Sequence, residues 1–468
     1  MAASRTLIKN GTIISVDPKI GQLDSGDVLI EDGKIVAIAP NLEADNAEII
    51  DASGAIVMPG FVDSHRHLWQ AVVRHIGSNW THGQYLMGVH LGLSGDFRPE
   101  DTYNGNLLGG LEALDSGITT LLDWSHNIDT PQHADAAVEA LQSTGMRSVF
   151  AHGGGATMWN LPSNVPHTRD VLRIRDQYFS SNDQLSTMAF ALRGPQFSTP
   201  EVAAADWKLI QELDTRVTVH NGDGEWGKQR PVAWMRDHGM LNDRVTHVHC
   251  CTLADDELKM IADSGGTASV SVDVEAQMGM GVPATGRLLD AGVRPSLSID
   301  VCVSNGGDMF NAMKSTIALQ RLLDSEAEAV PGEQEAVRLR CMDVIEFATI
   351  EGARALGLDH ITGSLTPGKD ADIIIVRADG LAMTPLNNPS GALVYSGHPG
   401  LVDTVLVRGK TVKREGKLLR GDLDDVKRRA IASRDYLFRA ALDRPSIADA
   451  RLGGSWTPGI HKVSRETV

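Results

Sequence analysis

The sequence predicts an α/β protein: a (β/α)8 barrel carrying a small β-sandwich domain built from both chain ends. Three observations predict it. Eight short apolar segments alternate with amphipathic stretches through the middle of the 468 residues, as buried parallel strands joined by helical crossovers do. Strand-rich segments punctuated by Asn-Gly and Asp-Gly pairs flank that middle on both sides, and such pairs signal hairpins. The middle spans about 300 residues, which suits a closed barrel of roughly 250 residues with insertions. An open, doubly wound sheet is the alternative.

Taken in order, residues 5–57 read as short strands and turns: "TLIKNGTIISV", "GDVLIEDGKIVAIAP" and "AEIIDASGAIVMPG". Similar patterning returns in "DADIIIVRA" and "VDTVLVRGKTVKREGKLL". Residues 1–57 and 360–468 are therefore expected to form one composite β-domain, with the barrel over 58–359. The eight barrel strands are "GFVDSHRH", "GITTLLDWS", "RSVFAHG", "MAFALRG", "RVTVHNG", "RVTHVHC", "TASVSV" and "RPSLSID". Helices fall between them at "PEDTYNGNLLGGLEALDSG", "HADAAVEALQSTG" and "LADDELKMIADSG". Two connections are long, 68–98 and 153–172, and long loops at the C-terminal side of a barrel usually shape or cover its site. The closing amphipathic stretch "DLDDVKRRAIASRDYLFRAAL" is expected to pack against the body or a neighbouring subunit.

Composition excludes several functions. A formal charge of −17 argues against nucleic-acid binding, which needs a basic surface. The N-terminus has no signal-like apolar core, and no run is long enough to span a bilayer. The four cysteines, Cys250, Cys251, Cys302 and Cys341, make no Cys-x-x-Cys pair, which points to reduced thiols and a cytoplasmic protein.

The histidines carry the functional signal. His65 and His67 end the first strand, two residues apart and so on one face. His220 ends the fifth, His247 and His249 lie on the sixth, and Asp300 ends the eighth. Barrel enzymes assemble their sites at these strand ends. Three imidazoles and a carboxylate suit one Zn2+, with Fe2+ or Co2+ also accommodated. A cation held this way lowers the pKa of bound water toward neutrality, and the resulting hydroxide attacks an electrophilic carbon. No lysine ends the fourth strand, "FALRGPQFS", so a single metal is expected.

These segments resemble the amidohydrolase superfamily, in the branch of cytosine deaminase, adenosylhomocysteine deaminase and the triazine hydrolases. "MPGFVDSHRH", "HCCTLADDEL", "LLDAGVRPSLSIDVCVSNGGDMFNAM" and "GSLTPGKDADIIIV" carry the likeness, which covers nearly the whole chain. The resemblance implies that His65, His67, His220 and Asp300 bind the metal. It implies that His249 hydrogen-bonds the bound water, and that Asp300 also accepts its proton. It aligns His249, rather than His247, with the catalytic histidine, leaving His247 as a core residue. Family members are often homo-oligomers, and their substrates are small molecules.

The pattern also breaks. Relatives place a glutamate three residues after the strand-five histidine; here "VHNGDGEWG" puts Asp223 there. Asp223 is the expected general acid, with Glu225 the alternative. Strand four ends Pro195-Gln196 where relatives often read Pro-His, and Gln277 stands where a lysine is usual. With Gln196, Trp69, Trp124 and Trp226 expected at the substrate, beside Met278, the pocket suits a small neutral, flat compound. Deamination or dehalogenation of a nitrogen heterocycle is the leading expectation. Cleavage of a urea, carbamate or thiocarbamate, and a non-catalytic scaffold, are the alternatives.

Overall fold

The eight apolar segments of the middle form eight parallel strands in chain order, each hydrogen-bonded to the next. They occupy Phe61–Arg66, Ile118–Ser125, Arg147–His152, Ser186–Leu192, Arg216–Asn221, Val245–His249, Thr267–Val270 and Ser296–Leu297. The protein is seen here in a computed structural model that describes residues 5–159, 162–327 and 337–442. Of the expected segments, positions 160–161 of the second long connection and the 443–468 end of the chain lie outside the described residues.

Strands one and eight close the circle. The Asp300 amide donates to the His65 carbonyl and the His67 amide to the Asp300 carbonyl, both at 2.9 Å. Inside the seam, the Ser64 hydroxyl bonds to Ser269 and Ser296, each at 2.7 Å. The Asp63 carboxylate accepts the Ile299 amide at 3.1 Å. An open sheet has no such seam, so the doubly wound alternative is excluded. The closure also carries Asp300 beside His65 and His67, where the chemistry gathers.

The expected helices lie at Pro99–Asp115, Pro131–Thr144 and Asp255–Asp263. Each of the first two has proline in its first turn, where the missing amide hydrogen leaves no bond unmade. Pro131–Thr144 stops at Gly145, whose φ of 74° is the left-handed cap that glycine adopts without a Cβ penalty.

Both chain ends enter one mixed nine-stranded sheet. Strand Ile373–Arg377 from the C-terminal part pairs antiparallel with Ala55–Pro59 from the N-terminal part, joining the two halves. Ile8, Val28, Ile30, Val57, Ile373 and Leu406 feed one buried cluster against it. The hydrogen bonding is continuous, so the layers of the expected sandwich belong to one sheet. Gly60 hands the chain from this sheet to the barrel; a Cβ there would collide with the Thr119 side chain.

Connection 68–98 is built from short helical turns, Leu68–Val73, His82–Tyr85, Leu86–Leu93 and Ser94–Asp96. The C-terminal helix Leu423–Leu442 packs behind it. Ala430, Leu437 and Phe438 share a buried cluster with Trp69, Val72, Val73 and Phe97, and Arg98 lies over the Tyr436 ring at 3.6 Å. The helix therefore packs on the body of its own chain. Among the described residues no helix is long and apolar enough to cross a membrane. All four cysteines are free of disulfides, and burial pushes the Cys302 thiol up, away from reactivity.

Candidate active site

The C-terminal ends of the barrel strands gather the histidines in one place. His65 and His67 emerge on one face of strand one, ring centroids 4.6 Å apart. His220 ends strand five with its Nε2 3.3 Å from His65 Nε2. Asp300 reaches in across the seam, its Oδ1 3.3 Å from His65 Nε2 and 3.2 Å from His67 Nε2. Three non-glycine residues here have positive φ: His249 at 75°, Cys250 at 60° and Asp300 at 61°. Such backbone costs roughly 1–3 kcal/mol per residue and persists only where surrounding bonds impose it. For Asp300, the two seam hydrogen bonds do so.

The donor chemistry fits a divalent cation. His67 Nδ1 donates to the Trp124 carbonyl at 2.7 Å, so in the neutral ring Nε2 is a bare acceptor. That acceptor faces a carboxylate oxygen, and His65 Nε2 faces both the same oxygen and His220 Nε2. Acceptors crowded this closely repel one another unless something positive sits among them. Burial pushes His65 down to about 3 and holds His220 well below the ordinary imidazole range. Burial opposes ionisation of Asp300, yet the His65 and His67 rings beside it hold the carboxyl well below the usual range. Neutral imidazoles and an ionised carboxylate are the ligand set of a zinc-type ion.

His249 stands beside this cluster. Its Nε2 lies 4.0 Å from Asp300 Oδ2, and its Nδ1 donates to Glu275 Oε1 at 3.2 Å. Burial disfavours the imidazolium, but the Glu275 hydrogen bond and the charge on Asp300 outweigh it and raise His249 to about 9. His247 behaves differently from its neighbour two residues on. It bonds Asn221 through Nδ1 at 2.8 Å and does not line the cavity. The positive φ of His249 breaks the strand alternation, so the two histidines do not share a face as their spacing predicts.

Asp223 is buried and lines the same cavity. Gln196 donates to its Oδ1 and accepts the Gly222 amide at 2.8 Å through its own oxygen. Asp223 Oδ2 lies 3.5 Å from His82 Nε2. Glu225, the alternative acid, has a side chain 86% exposed and paired with Lys228. It points out of the site.

The cavity, partly open to solvent, is lined by His67, His220, His249, Asp300 and Asp223, with Leu86, Phe197 and Met280 as its apolar wall. His82, Tyr85, His90 and His126 complete it. The expected substrate contacts Gln196, Trp69, Trp124 and Trp226 are not among the residues that line it. Trp69 is wholly buried and donates its indole hydrogen to His126 at 2.8 Å. Trp124 lies beneath the ligands, its ring 4.5 Å from that of His220. Trp226 packs against His82 and Phe197 at the edge, and Gln196 is occupied by Asp223 and Gly222. Met278 is buried in the cluster behind the 68–98 connection. Sequence reasoning missed His126 and Glu275. His126 follows strand two directly, in "LLDWSH", and its position at a strand end was the available signal. Glu275 lay in "VDVEAQM", a helix with no strand-end cue.

Comparison with known proteins gives the family and agrees with the fold. A model of the amidohydrolase family matches residues 56–412. The chain is 30% identical over 427 residues to the 5'-deoxyadenosine deaminase of Methanothermobacter thermautotrophicus, covering 87% of this chain and 95% of that one. It is 29% identical to the 5-methylthioadenosine/S-adenosylhomocysteine deaminase of Desulforudis audaxviator, covering 91% and 97%. Among solved structures, a zinc-bound adenosine deaminase from Xanthomonas campestris superposes with a TM-score of 0.81 at 22% identity, covering 93% and 98%. The atrazine chlorohydrolase of Arthrobacter aurescens complexed with zinc gives 0.79 at 24% identity, covering 92% and 100%.

Proposed function

The chain belongs to the amidohydrolase family, and on that premise we propose that it is a mononuclear metal-dependent hydrolase that displaces an exocyclic amino group, or a halide in its place, from a neutral nitrogen heterocycle. His65, His67, His220 and Asp300 hold the ion, and Zn2+ is the ion proposed. When bound, such an ion supplies a water acidified toward neutrality. The carrying observation is that His67, His220 and Asp300 line one cavity with a buried carboxylate, Asp223, while His65 lies within 3.3 Å of both His220 and Asp300.

Each remaining residue has a role set by its bonds. Asp300 Oδ2, facing His249 Nε2, is placed to take the proton of the attacking water, and His249 to hydrogen-bond that water. Glu275 orients the His249 ring by accepting from Nδ1, as carboxylates commonly do for catalytic imidazoles. Gln196, itself held by the Gly222 amide, fixes Asp223 in place to pass a proton to the ring or leaving group. Leu86, Phe197 and Met280 exclude water and cover the faces of a flat ring. Among the described residues no lysine or arginine lines the cavity, which supports an uncharged substrate over a phosphorylated one. The named activities of the relatives, on deoxyadenosine and methylthioadenosine, support 6-aminopurine nucleosides as the substrate class.

Incubation of the zinc-loaded protein with unphosphorylated aminopurine nucleosides, aminopyrimidines and amino- and chloro-s-triazines tests this. Release of ammonia or chloride from a member of the panel is expected. Failure on all of them, with zinc bound, would contradict the reading.

A further inference from the structure

His82 meets Asp223 from the 68–98 connection and lines the cavity beside it, and nothing in the ligand set or the strand-end pattern accounts for it. Its Nε2 lies 3.5 Å from Asp223 Oδ2, while Gln196 takes the other oxygen. The side chain is only 11% exposed, and it is held. Thr81 and Gln84 form a reciprocal capping box around the short helix His82–Tyr85. The Trp226 ring stands edge-on to the imidazole, centroids 5.6 Å apart. On the remaining side lies Gly224, whose absent Cβ would sit 3.4 Å from His82 Nδ1. These contacts fix the imidazole between Asp223 and the cavity.

An aspartate at this position is one methylene shorter than a glutamate, which shortens its reach toward the centre of the cavity. An imidazole in contact with its outer oxygen extends that reach. We infer that His82 and Asp223 form a proton-transfer pair in which His82 delivers the proton to the leaving nitrogen. This rests on the proposed deamination. In the overall step the water oxygen bonds the ring carbon and the carbon–nitrogen bond breaks. One proton leaves the water for Asp300 and one passes from the pair to the departing amine, which leaves as ammonia; the proton taken from the water then restores the pair. A chloride in the same position departs as an anion and needs no proton. His82 therefore matters more for amines than for chlorides.

The test compares the zinc-loaded wild type and the His82→Asn variant on a matched pair, adenosine and 6-chloropurine riboside, with zinc content measured on both proteins. A general acid contributes about 100-fold or more. The variant is expected to keep its zinc, with kcat on the amine falling at least about 30-fold further than on the chloride. Equal losses on both substrates, or no loss, with zinc retained, would overturn the role of His82. A wild type inert on both would instead contradict the deamination reading, and this role with it. Should His82→Asn fail to bind zinc, His82→Gln, closer in size to the imidazole, is read by the same ratio.

Discussion

Asp300 and Asp223 are both buried carboxylates in one cavity, yet their neighbours give them different work. Asp300 faces His65, His67 and His249, the ground for placing it in the proposed ligand set. Asp223 faces Gln196 and His82, the ground for proposing it in proton transfer. Asp300→Asn should lower both metal content and turnover, since an amide is a poorer ligand and accepts no proton. Asp223→Asn should leave one metal per chain and lower kcat by about 100-fold or more. Metal analysis beside steady-state kinetics separates the two; parallel loss of metal in both variants would contradict the division. His65, His67, His220 and Asp300 were legible in the sequence because barrel topology brings strand ends together whatever lies between them. His82 was visible only as part of the long 68–98 connection, because its approach to Asp223 depends on how that connection folds, whereas His126 had a strand-end cue that went unread. The left-handed backbone at His249, which separates it from His247, also leaves no trace in the residue pattern.

At the scale of elements, the 68–98 connection supplies His82, Tyr85, Leu86 and His90 to the cavity wall, and the Leu423–Leu442 helix supports it from behind. Its short helical turns have no sustained 3.6-residue period, which is why the sequence showed a long loop and no more. The C-terminal helix was visible as an amphipathic stretch, but its partner was not, since an apolar stripe does not say what covers it. Leu437 is fully buried in that cluster. Leu437→Ala should cost about 2–5 kcal/mol in stability. By loosening the wall it should also raise KM more than it lowers kcat. Denaturant unfolding and kinetics on the same preparation test this; lost stability with KM unchanged would show that the helix supports the fold but not the cavity.

For the whole molecule, the strand order of the barrel and the return of the C-terminal part to the N-terminal sheet followed from alternation and hairpin signals. The continuity of that sheet did not, because it depends on pairings between distant segments such as Ile374 with Met58. The fold also buries histidines away from the cavity. His152 and His167 bond one another at 2.9 Å. Burial pushes His152 down to about 4 and His167 well below the ordinary value. Below an unfolded pKa of about 6.5 the unfolded chain binds protons that the folded chain refuses, so stability falls as pH drops toward 4. The slope is at most about 1.4 kcal/mol per pH unit for each histidine. Urea unfolding between pH 7 and 5 should show this decline, shallower in His167→Gln; equal slopes would contradict it. The measurement closest to the centre of the account is a zinc titration of chelated protein followed by deamination rate. Activity should be absent at the start, rise linearly and saturate at one ion per chain. Full activity without metal, or saturation only at two ions, would contradict a single ion held by His65, His67, His220 and Asp300.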